Sequence, residues 1–192
     1  MGIDEVRDAA AAAYVRVQAM PYATDAAHDA TGLREQGRGN CVAKTELLRE
    51  ELAVLGVATR RVCWEYELPR LLDVQEQLAF RTDVHSAVEV RTEDGWILVD
   101  PTHDPPLGQL GLAVGTWNGS SPTAPAFAPL GPILDPEDPA DRAVLDTASA
   151  RIAREVERTP PEVTSQYREG LNRLFDAVRG ARPAAQRGSD AR

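Results

Sequence analysis

The sequence predicts an α+β fold in which a helix packs on an antiparallel sheet and further helices lie at both ends of the chain. Apolar residues recur at helical spacing near both termini. Three runs rich in β-branched and aromatic residues lie in the middle of the chain, and this composition is typical of strands. The 192 residues suffice for one domain with its own hydrophobic core.

The first elements follow from local composition. The run from Ile3 to Met20 is rich in alanine and ends at a proline, which predicts a helix. Residues 22–40 are mostly polar and predict an approach loop with a short helical piece. A second helix is predicted from Val42 to Leu55, because leucines recur at a spacing of three to four and a glycine follows. The run from Val57 to Tyr66 predicts the first strand.

Two further strand-like runs, residues 84–90 and 96–99, are separated by a short polar segment and predict a β-hairpin. The texture then changes, because nine of the chain's 14 prolines fall within residues 101–139. A segment so rich in proline cannot be a long helix. Residues 101–139 could therefore be a lid over a neighbouring site or a surface meander that contacts no substrate.

Two closing helices are predicted, from Asp141 to Glu157 and from Pro160 to Arg179. The second carries an apolar stripe that is typical of a helix packed on a core. The last residues are small and polar, which is typical of disorder. The predicted organisation is a single domain over residues 1–180 and a disordered tail over residues 181–192.

The composition excludes several kinds of partner. A net charge of −9 makes nucleic acid and anionic membranes poor partners, because both favour basic patches. No apolar run approaches the roughly 20 residues of a membrane span. Asp4, Glu5 and Asp8 stand where a signal peptide would be basic. With only two cysteines a disulfide framework is not indicated, and we expect a cytoplasmic protein.

Cys41 stands out because two glycines precede it and a predicted helix begins beside it. At the first turn of a helix, backbone N–H groups point outward without partners and favour a nearby anion. A thiolate placed there, and later an oxyanion, would be stabilised by these groups. Taken alone, Cys41 is more simply a small apolar residue that happens to begin a helix.

His85 and Asp100 add an imidazole and a carboxylate in the predicted hairpin. Taken singly, each has a structural explanation, as a satisfied strand histidine and as a residue in the turn that ends a strand. Together with Cys41 they form the set of groups that nucleophilic acyl transfer requires. The nucleophile attacks, the base takes its proton, and the acid orients the base.

The hairpin register decides whether the two groups can meet. They are 15 residues apart, and with an even-numbered loop this odd separation places both on one face of the sheet. A turn at Asp94-Gly95 would put Asp100 opposite Glu89, with His85 about 13 Å away. A four-residue loop ending at Asp94 would instead put His85 directly opposite Asp100, about 5 Å apart at Cβ. A shared site predicts this second register.

Several blocks of the sequence match a known pattern in the same order: Gly39-Asn40-Cys41, Lys44, Leu47-Leu48, Leu55-Gly56-Val57 with Arg60, His85 with Glu89, and Trp96 to Thr102. The segment from about Gly37 to Thr102 resembles the transglutaminase-like superfamily, a set of papain-like cysteine enzymes. The resemblance implies a transglutaminase-like core whose nucleophile helix begins at Cys41. It implies His85 as general base and acid, and Asp100 as the residue that orients His85.

The resemblance also raises the question of the oxyanion hole. Members of the superfamily often complete it with a Trp or Gln side chain upstream of the nucleophile, and no tryptophan precedes Cys41 here. Gln36 and Asn40 are the available amides, with Gln36 favoured by analogy. The backbone N–H of Cys41 is the other candidate donor.

The residues and the resemblance together favour an enzyme that takes an acyl group from an amide or a thioester through a Cys-His-Asp triad. Water would resolve the acyl-enzyme in an amidase or peptidase, and an amine would do so in an amide-forming transferase. The expected partner is a small-molecule, peptide or carrier-bound acyl substrate, and no cofactor is expected. The oligomeric state is left open.

Two alternatives belong to other classes of function. The chain could be a non-catalytic interaction module that retains the transglutaminase-like fold. It could also bind zinc through Cys41, His85, Asp100 and His103, all of which are possible ligands. The close-spaced ligand pair usual in zinc sites is missing, apart from Asp100 and His103 on a turn. His103 is otherwise expected at a cleft rim or on the surface.

Overall fold

The computed structural model describes residues 2–180 of the chain, so the predicted tail over residues 181–192 lies outside the described residues. Short 3-10 turns occur at Asp73–Gln77 and Pro105–Leu110. The helices and strands are α1 (Ile3–Ala19), β1 (Tyr22–Ala27), α2 (Ala30–Gln36), α3 (Cys41–Val54), β2 (Thr59–Glu67), β3 (Thr82–Thr92), β4 (Gly95–Val99), α4 (Pro139–Arg158) and α5 (Pro161–Gly180).

Strands β2, β3 and β4 form a three-stranded antiparallel sheet in that order. Helices precede and follow the sheet strands in the sequence, and α3 and α4 both contact these strands. The predicted α+β class, with a helix on an antiparallel sheet and extra terminal helices, is confirmed. No helix within residues 2–180 is long and apolar enough to cross a membrane.

The hairpin register differs from both registers that the sequence suggested. Thr92 pairs with Gly95 across a two-residue turn, and Val88 pairs with Val99. Because it pairs with Thr92, Gly95 is the first residue after the turn and not part of it. Its φ of 136° is one that a residue with a side chain rarely adopts. Extending the pairing by one residue places Asp100 level with Ala87. The predicted direct opposition of His85 and Asp100 is therefore wrong by two residues.

Two apolar clusters bury the sheet on both faces. On one face, Val88, Val90 and Val99 pack with residues of α1 and α3, including Tyr14 and Leu48. The residues of the other face alternate with these along the strands. They pack with α5 and with the irregular segment before α4, in a cluster that includes Val62, Trp64, Ala87, Leu107, Phe127, Tyr167, Leu171 and Phe175. Segments from both ends of the chain therefore enclose the residues of the sheet.

Within residues 22–40, α2 is the short helical piece that the sequence predicted, whereas the strand β1 stands where a loop was predicted. Asp29 caps α2 by accepting a hydrogen bond from the Gly32 N–H at 2.7 Å. Gly37 ends the helix in the left-handed conformation, with a φ of 69°. A bridge then pairs Tyr22 with Gly39. This bridge brings the start of β1 beside the residues that precede Cys41.

The proline-rich segment from residue 101 to residue 139 is irregular, as its composition predicts. Several hydrogen bonds fasten it to the sheet. Cys63 and Leu134 exchange two backbone hydrogen bonds of 2.8 Å, and the Trp64 indole N–H donates to the Phe127 carbonyl at 2.9 Å. The segment thus packs over the strands that carry the candidate site, and its action as a lid stays a prediction.

Candidate active site

Cys41 is the first residue of α3. Asn40 caps the helix with its side-chain oxygen, which accepts from the Ala43 N–H at 3.1 Å. Because the helix begins at Cys41, its backbone N–H has no carbonyl in a preceding turn to bond. The Cys41 side chain is partly exposed, whereas the other cysteine, Cys63, is buried. The thiol therefore lies where a ligand can reach it.

His85 and Asp100 form a buried pair. The Nε2 atom of His85 lies 2.9 Å from Oδ2 of Asp100, and neither side chain is exposed to solvent. The two residues are diagonal neighbours across the hairpin, and a diagonal pair remains within reach of long side chains. Because the loop has an even number of residues, both side chains lie on one face of the hairpin, and they are in contact although the register differs from the predicted one. The other ring nitrogen, Nδ1, has no hydrogen-bond partner among the described residues.

Two backbone N–H groups and two hydroxyls fix Asp100 in place. Its Oδ2 also accepts from the Ala126 N–H at 2.7 Å, and its Oδ1 accepts from the Thr102 N–H at 3.0 Å. Its own N–H donates to the Thr123 hydroxyl at 2.9 Å. The Tyr14 hydroxyl donates to its carbonyl at 3.1 Å. A carboxylate held by this many donors has a single orientation available for His85.

The pair is strongly polarised. Burial disfavours a charged His85, but the charge and hydrogen bond of Asp100, with a smaller contribution from the nearby Cys41 thiol, raise the pKa of His85 to about 10. Burial likewise opposes ionisation of Asp100, yet His85 and the N–H donors lower its pKa to about 2. At neutral pH the arrangement favours an imidazolium facing a carboxylate. Cys41 is close enough to His85 to interact with it electrostatically.

A cavity of about 330 Å³ opens beside the thiol. This volume falls at the lower end of the range for small-molecule sites. The walls are largely apolar, with aliphatic and aromatic residues, and Asp83 and Arg168 are charged residues among the others. The aromatic residues that line the cavity are Tyr22, Tyr66, Phe80, Phe127, Tyr167 and Phe175.

The two predicted oxyanion residues lie in different environments. Gln36 is exposed at the end of α2 and is not among the residues that line the cavity. Asn40 lines the cavity, but its amide oxygen caps α3 and its amide nitrogen donates to Nδ1 of His28 at 2.6 Å. An oxyanion role for either residue stays a prediction. The Cys41 N–H is the donor whose position at the helix start the structure describes.

His103 is buried, in contrast to the surface or rim position that its sequence context suggested. Its ring packs edge-on against Tyr22 and Phe127, and Nδ1 donates to the Ala113 carbonyl at 2.8 Å. Burial lowers the pKa of His103 to about 4, so the ring is neutral. Within residues 2–180, no group of three or more His, Cys, Asp or Glu side chains is arranged to hold a metal ion.

Lys44 is a buried residue near the site, and the sequence-based prediction assigned it no role. It is fully buried one turn after Cys41, and its ammonium donates to the carbonyls of Gln18, Met20 and Thr102 at 3.0, 2.8 and 2.8 Å. Burial lowers the pKa of Lys44 to about 7. Lys44 ties α3 to the end of α1 and to the segment that follows β4. A lysine at helical spacing from the buried Leu47 and Leu48 was the available signal.

The aromatic walls had no comparable signal. Phe127 stacks on Tyr66 with ring centroids 4.1 Å apart and also packs against His85 at 5.0 Å. Tyr22 reaches the site through its bridge to Gly39. These contacts join residues far apart in the sequence, so no local pattern marks them.

Comparison with known proteins gives one positive result. A model of the transglutaminase-like superfamily matches residues 3–101, slightly more than half of the 192 residues, and this range includes Cys41, His85 and Asp100. Searches of curated proteins and of solved structures found no match. The α+β fold, with a helix starting at a cysteine beside an antiparallel sheet, agrees with the family match. The chain therefore belongs to the transglutaminase-like superfamily.

Proposed function

We propose that this protein is a cysteine enzyme that takes an acyl group from an amide or a thioester. Superfamily membership supports a cysteine-based enzyme. The observation that carries the finer proposal is the buried pair of His85 and Asp100, 2.9 Å apart. The Nδ1 atom of His85 has no hydrogen-bond partner among the described residues, and the nearby Cys41 thiol contributes to the raised pKa of His85. The aromatic cavity beside Cys41 would receive the acyl portion of the substrate.

In the proposed reaction the proton of the Cys41 thiol resides on His85, and the thiolate sulfur attacks the substrate carbonyl carbon. The resulting oxyanion lies at the start of α3, where the Cys41 N–H can donate to it. As the C–N or C–S bond breaks, its electron pair leaves with the amine or thiol, and His85 supplies the proton that neutralises this group. The acyl group is then bound to Cys41 as a thioester.

The second half-reaction releases the acyl group. Water or an amine attacks the thioester carbonyl, its proton passes to His85, and the electron pair of the C–S bond returns to Cys41. Asp100 stays ionised throughout because its pKa lies near 2, and it keeps the protonated ring in place. Water makes the protein an amidase or peptidase, and an amine makes it an amide-forming transferase.

The test is a search for the acyl-enzyme by intact-mass spectrometry. The protein would be incubated with small acyl thioesters and amides, and the labelled peptide identified. We expect one adduct, on Cys41, absent from Cys41→Ala. Cys63 is an internal control, because it is 1% exposed and should remain unmodified. Cys63→Ala should keep the adduct.

The same experiment separates the enzyme from a non-catalytic module with this fold. If iodoacetamide alkylates Cys41 while no thioester or amide acylates it, the thiol is accessible but the site does not perform acyl transfer. That outcome would contradict the proposal. Addition of a primary amine to a trapped acyl-enzyme then compares transfer with hydrolysis.

A further inference from the structure

We propose that the acyl donor of this site carries a protonated amino group, and that Asp83 binds this group within the aromatic cavity. The inference rests on the proposed function, because it concerns the substrate that acylates Cys41. It assigns a role in specificity to Asp83, a residue outside the Cys-His-Asp set.

Asp83 lies in the right place for such contact. It precedes His85 by two residues on β3, so both residues belong to one face of the strand, about 7 Å apart at Cα. Asp83 and Cys41 line the same cavity, and the Asp83 side chain remains exposed to solvent. A small ligand in the cavity can therefore contact both residues.

The carboxylate of Asp83 retains capacity for a cation. One oxygen accepts from the Val84 N–H at 2.8 Å. Arg168 also lines the cavity, and its charge acts on Asp83, but within the described residues no basic side chain forms an ion pair with this carboxylate. The second oxygen is therefore available to a ligand.

Aromatic residues line the same cavity as this carboxylate. Tyr22, Tyr66 and Tyr167 line the cavity, and after burial the charge of Asp83 is among the causes that raise the pKa of each of these phenols. A carboxylate combined with aromatic ring faces is a typical environment for an ammonium group. An anion would meet the charge of Asp83 at close range. The cavity therefore favours a cation with an apolar or aromatic body.

Asp83 is exposed as a residue, but the walls of the cavity partly shield its carboxylate from water. This shielding raises the pKa of Asp83, although the Val84 N–H and the charges of Arg168 and His85 oppose the rise. A bound ammonium would favour the ionised carboxylate. Because Asp83 is exposed, Asp83→Asn should melt at about the same temperature as the unsubstituted protein at neutral pH.

The amino group is assigned to the donor and not to an attacking amine. An amine must lose its proton before it attacks a carbonyl carbon. A carboxylate that binds the ammonium form holds that proton in place, because an opposite charge favours the charged form. The amine beside Asp83 is therefore a recognition group that does not react.

Binding to Cys41→Ala protein tests the site apart from catalysis. The probes are phenylalaninamide, its isomer with the amine one carbon further from the carbonyl, and 3-phenylpropanamide, which lacks the amine. At about pH 6, below the usual pKa of an α-amino group, we expect calorimetry to show at least one amine binding about 10- to 100-fold tighter than 3-phenylpropanamide. Adding Asp83→Asn should remove this preference.

Two control variants sharpen the binding test. Asp94→Asn removes one negative charge from the exposed turn of the hairpin, so it should keep the preference. Arg168→Gln removes the cation that competes for Asp83, and it should increase the preference. Equal binding of all probes, or an unchanged preference in Asp83→Asn, would overturn the proposal.

Acylation assays then separate this inference from the proposed function. N-acetylcysteamine thioesters of the same acyl groups should acylate Cys41 faster when they carry the amine, and Asp83→Asn should erase that difference. Acylation of Cys41 without an amine preference overturns the role of Asp83 alone. An amine preference in binding with no acylation by any donor overturns the acyl-transfer function alone. If Asp83→Asn instead changed only the KM of benzylamine as acceptor, the assignment to the donor would be wrong.

Discussion

The residues inside and outside the family match make different contributions to the site. Residues 3–101 supply all three groups of the proposed triad, Cys41, His85 and Asp100. The residues from 102 to 180 supply none of them, yet they provide the hydrogen bonds of Ala126 and Thr123 to Asp100. They also supply part of the cavity wall, including Phe127, Tyr167, Arg168 and Phe175.

The contrast lies between the reacting groups and the cavity wall. A helix start and two positions on one hairpin face provide the thiol, the imidazole and the carboxylate, all within the first region. Both regions form the cavity wall, because Asp83 comes from the first region and Phe127, Tyr167, Arg168 and Phe175 come from the second. A change in the second region would therefore alter the cavity without removing a reacting group.

The largest effect is expected from Asp100→Asn, in the first region. The amide cannot provide the negative charge that holds His85 protonated and oriented, so acylation of Cys41 should slow by about 10³- to 10⁴-fold. The measurement is kcat/KM for any thioester that acylates the native protein. Asp94→Asn, an exposed change of the same kind, should have no effect. A loss below tenfold for Asp100→Asn would show that the triad does not drive the reaction.

Phe127→Ala tests the second region through stability. Phe127 is buried, stacks on Tyr66 and packs against His85 and His103. Removal of a buried phenyl ring should lower the free energy of unfolding by about 3–5 kcal/mol, measured by urea denaturation. Phe127→Leu should lose less, because it fills part of the space. If Phe127→Ala lost under about 1 kcal/mol, the second region would not be part of one core with the sheet.

The sequence was sufficient where local rules apply. The start of α3 beside Cys41 follows from the preceding glycines and the helical periodicity of the leucines, and the shared face of His85 and Asp100 follows from the parity of the loop. Parity tolerated an error of two residues in the register, because any even loop keeps the two side chains on one face. A diagonal contact then replaced the predicted direct one.

Long-range contacts explain what the sequence could not predict. Residues 22–40 form β1 and α2 because Tyr22 bridges to Gly39 and because Asp29 caps a helix too short to show periodicity. The partners of Asp100 lie 23 and 26 residues further along, in a segment without regular structure. Neither relation leaves a repeating pattern in the sequence.

Lys44→Met tests how the two regions are joined. The ammonium of Lys44 bonds carbonyls of Gln18, Met20 and Thr102, on both sides of the boundary at residue 101. The substitution should leave the three carbonyl oxygens without their hydrogen-bond donor and destabilise the protein by about 1–3 kcal/mol at neutral pH. Lys44→Arg, which keeps the charge but is larger, should not restore full stability. An unchanged free energy of unfolding would show that these bonds contribute no net stability.

The pH dependence of the free energy of unfolding of Lys44→Met should show that His85 is protonated in the folded protein. Between about pH 7 and 10, folded Lys44 is neutral while the unfolded lysine is protonated, so its contribution to stability rises with pH. His85 behaves oppositely: its folded pKa of about 10 exceeds the unfolded value of 6.5, so its contribution falls as pH rises through this window. The two slopes nearly cancel in the native protein. Between about pH 7 and 10, the free energy of unfolding of Lys44→Met should therefore fall by about 1 kcal/mol per pH unit relative to that of the native protein.

The smallest effect is expected from Thr123→Val, which removes one contact between the regions. The Thr123 hydroxyl accepts the Asp100 N–H at 2.9 Å, and the substitution keeps the shape of the side chain while leaving that N–H without its acceptor. The free energy of unfolding should fall by about 1 kcal/mol. The rate of acylation should fall less than in Asp100→Asn, because the Thr102 and Ala126 N–H groups still orient the carboxylate. Thr147→Val, which removes the hydroxyl of an exposed threonine on α4, is the matched control for stability. If Thr123→Val slowed acylation as much as Asp100→Asn, the second region would control the chemistry as well as the recognition of substrate.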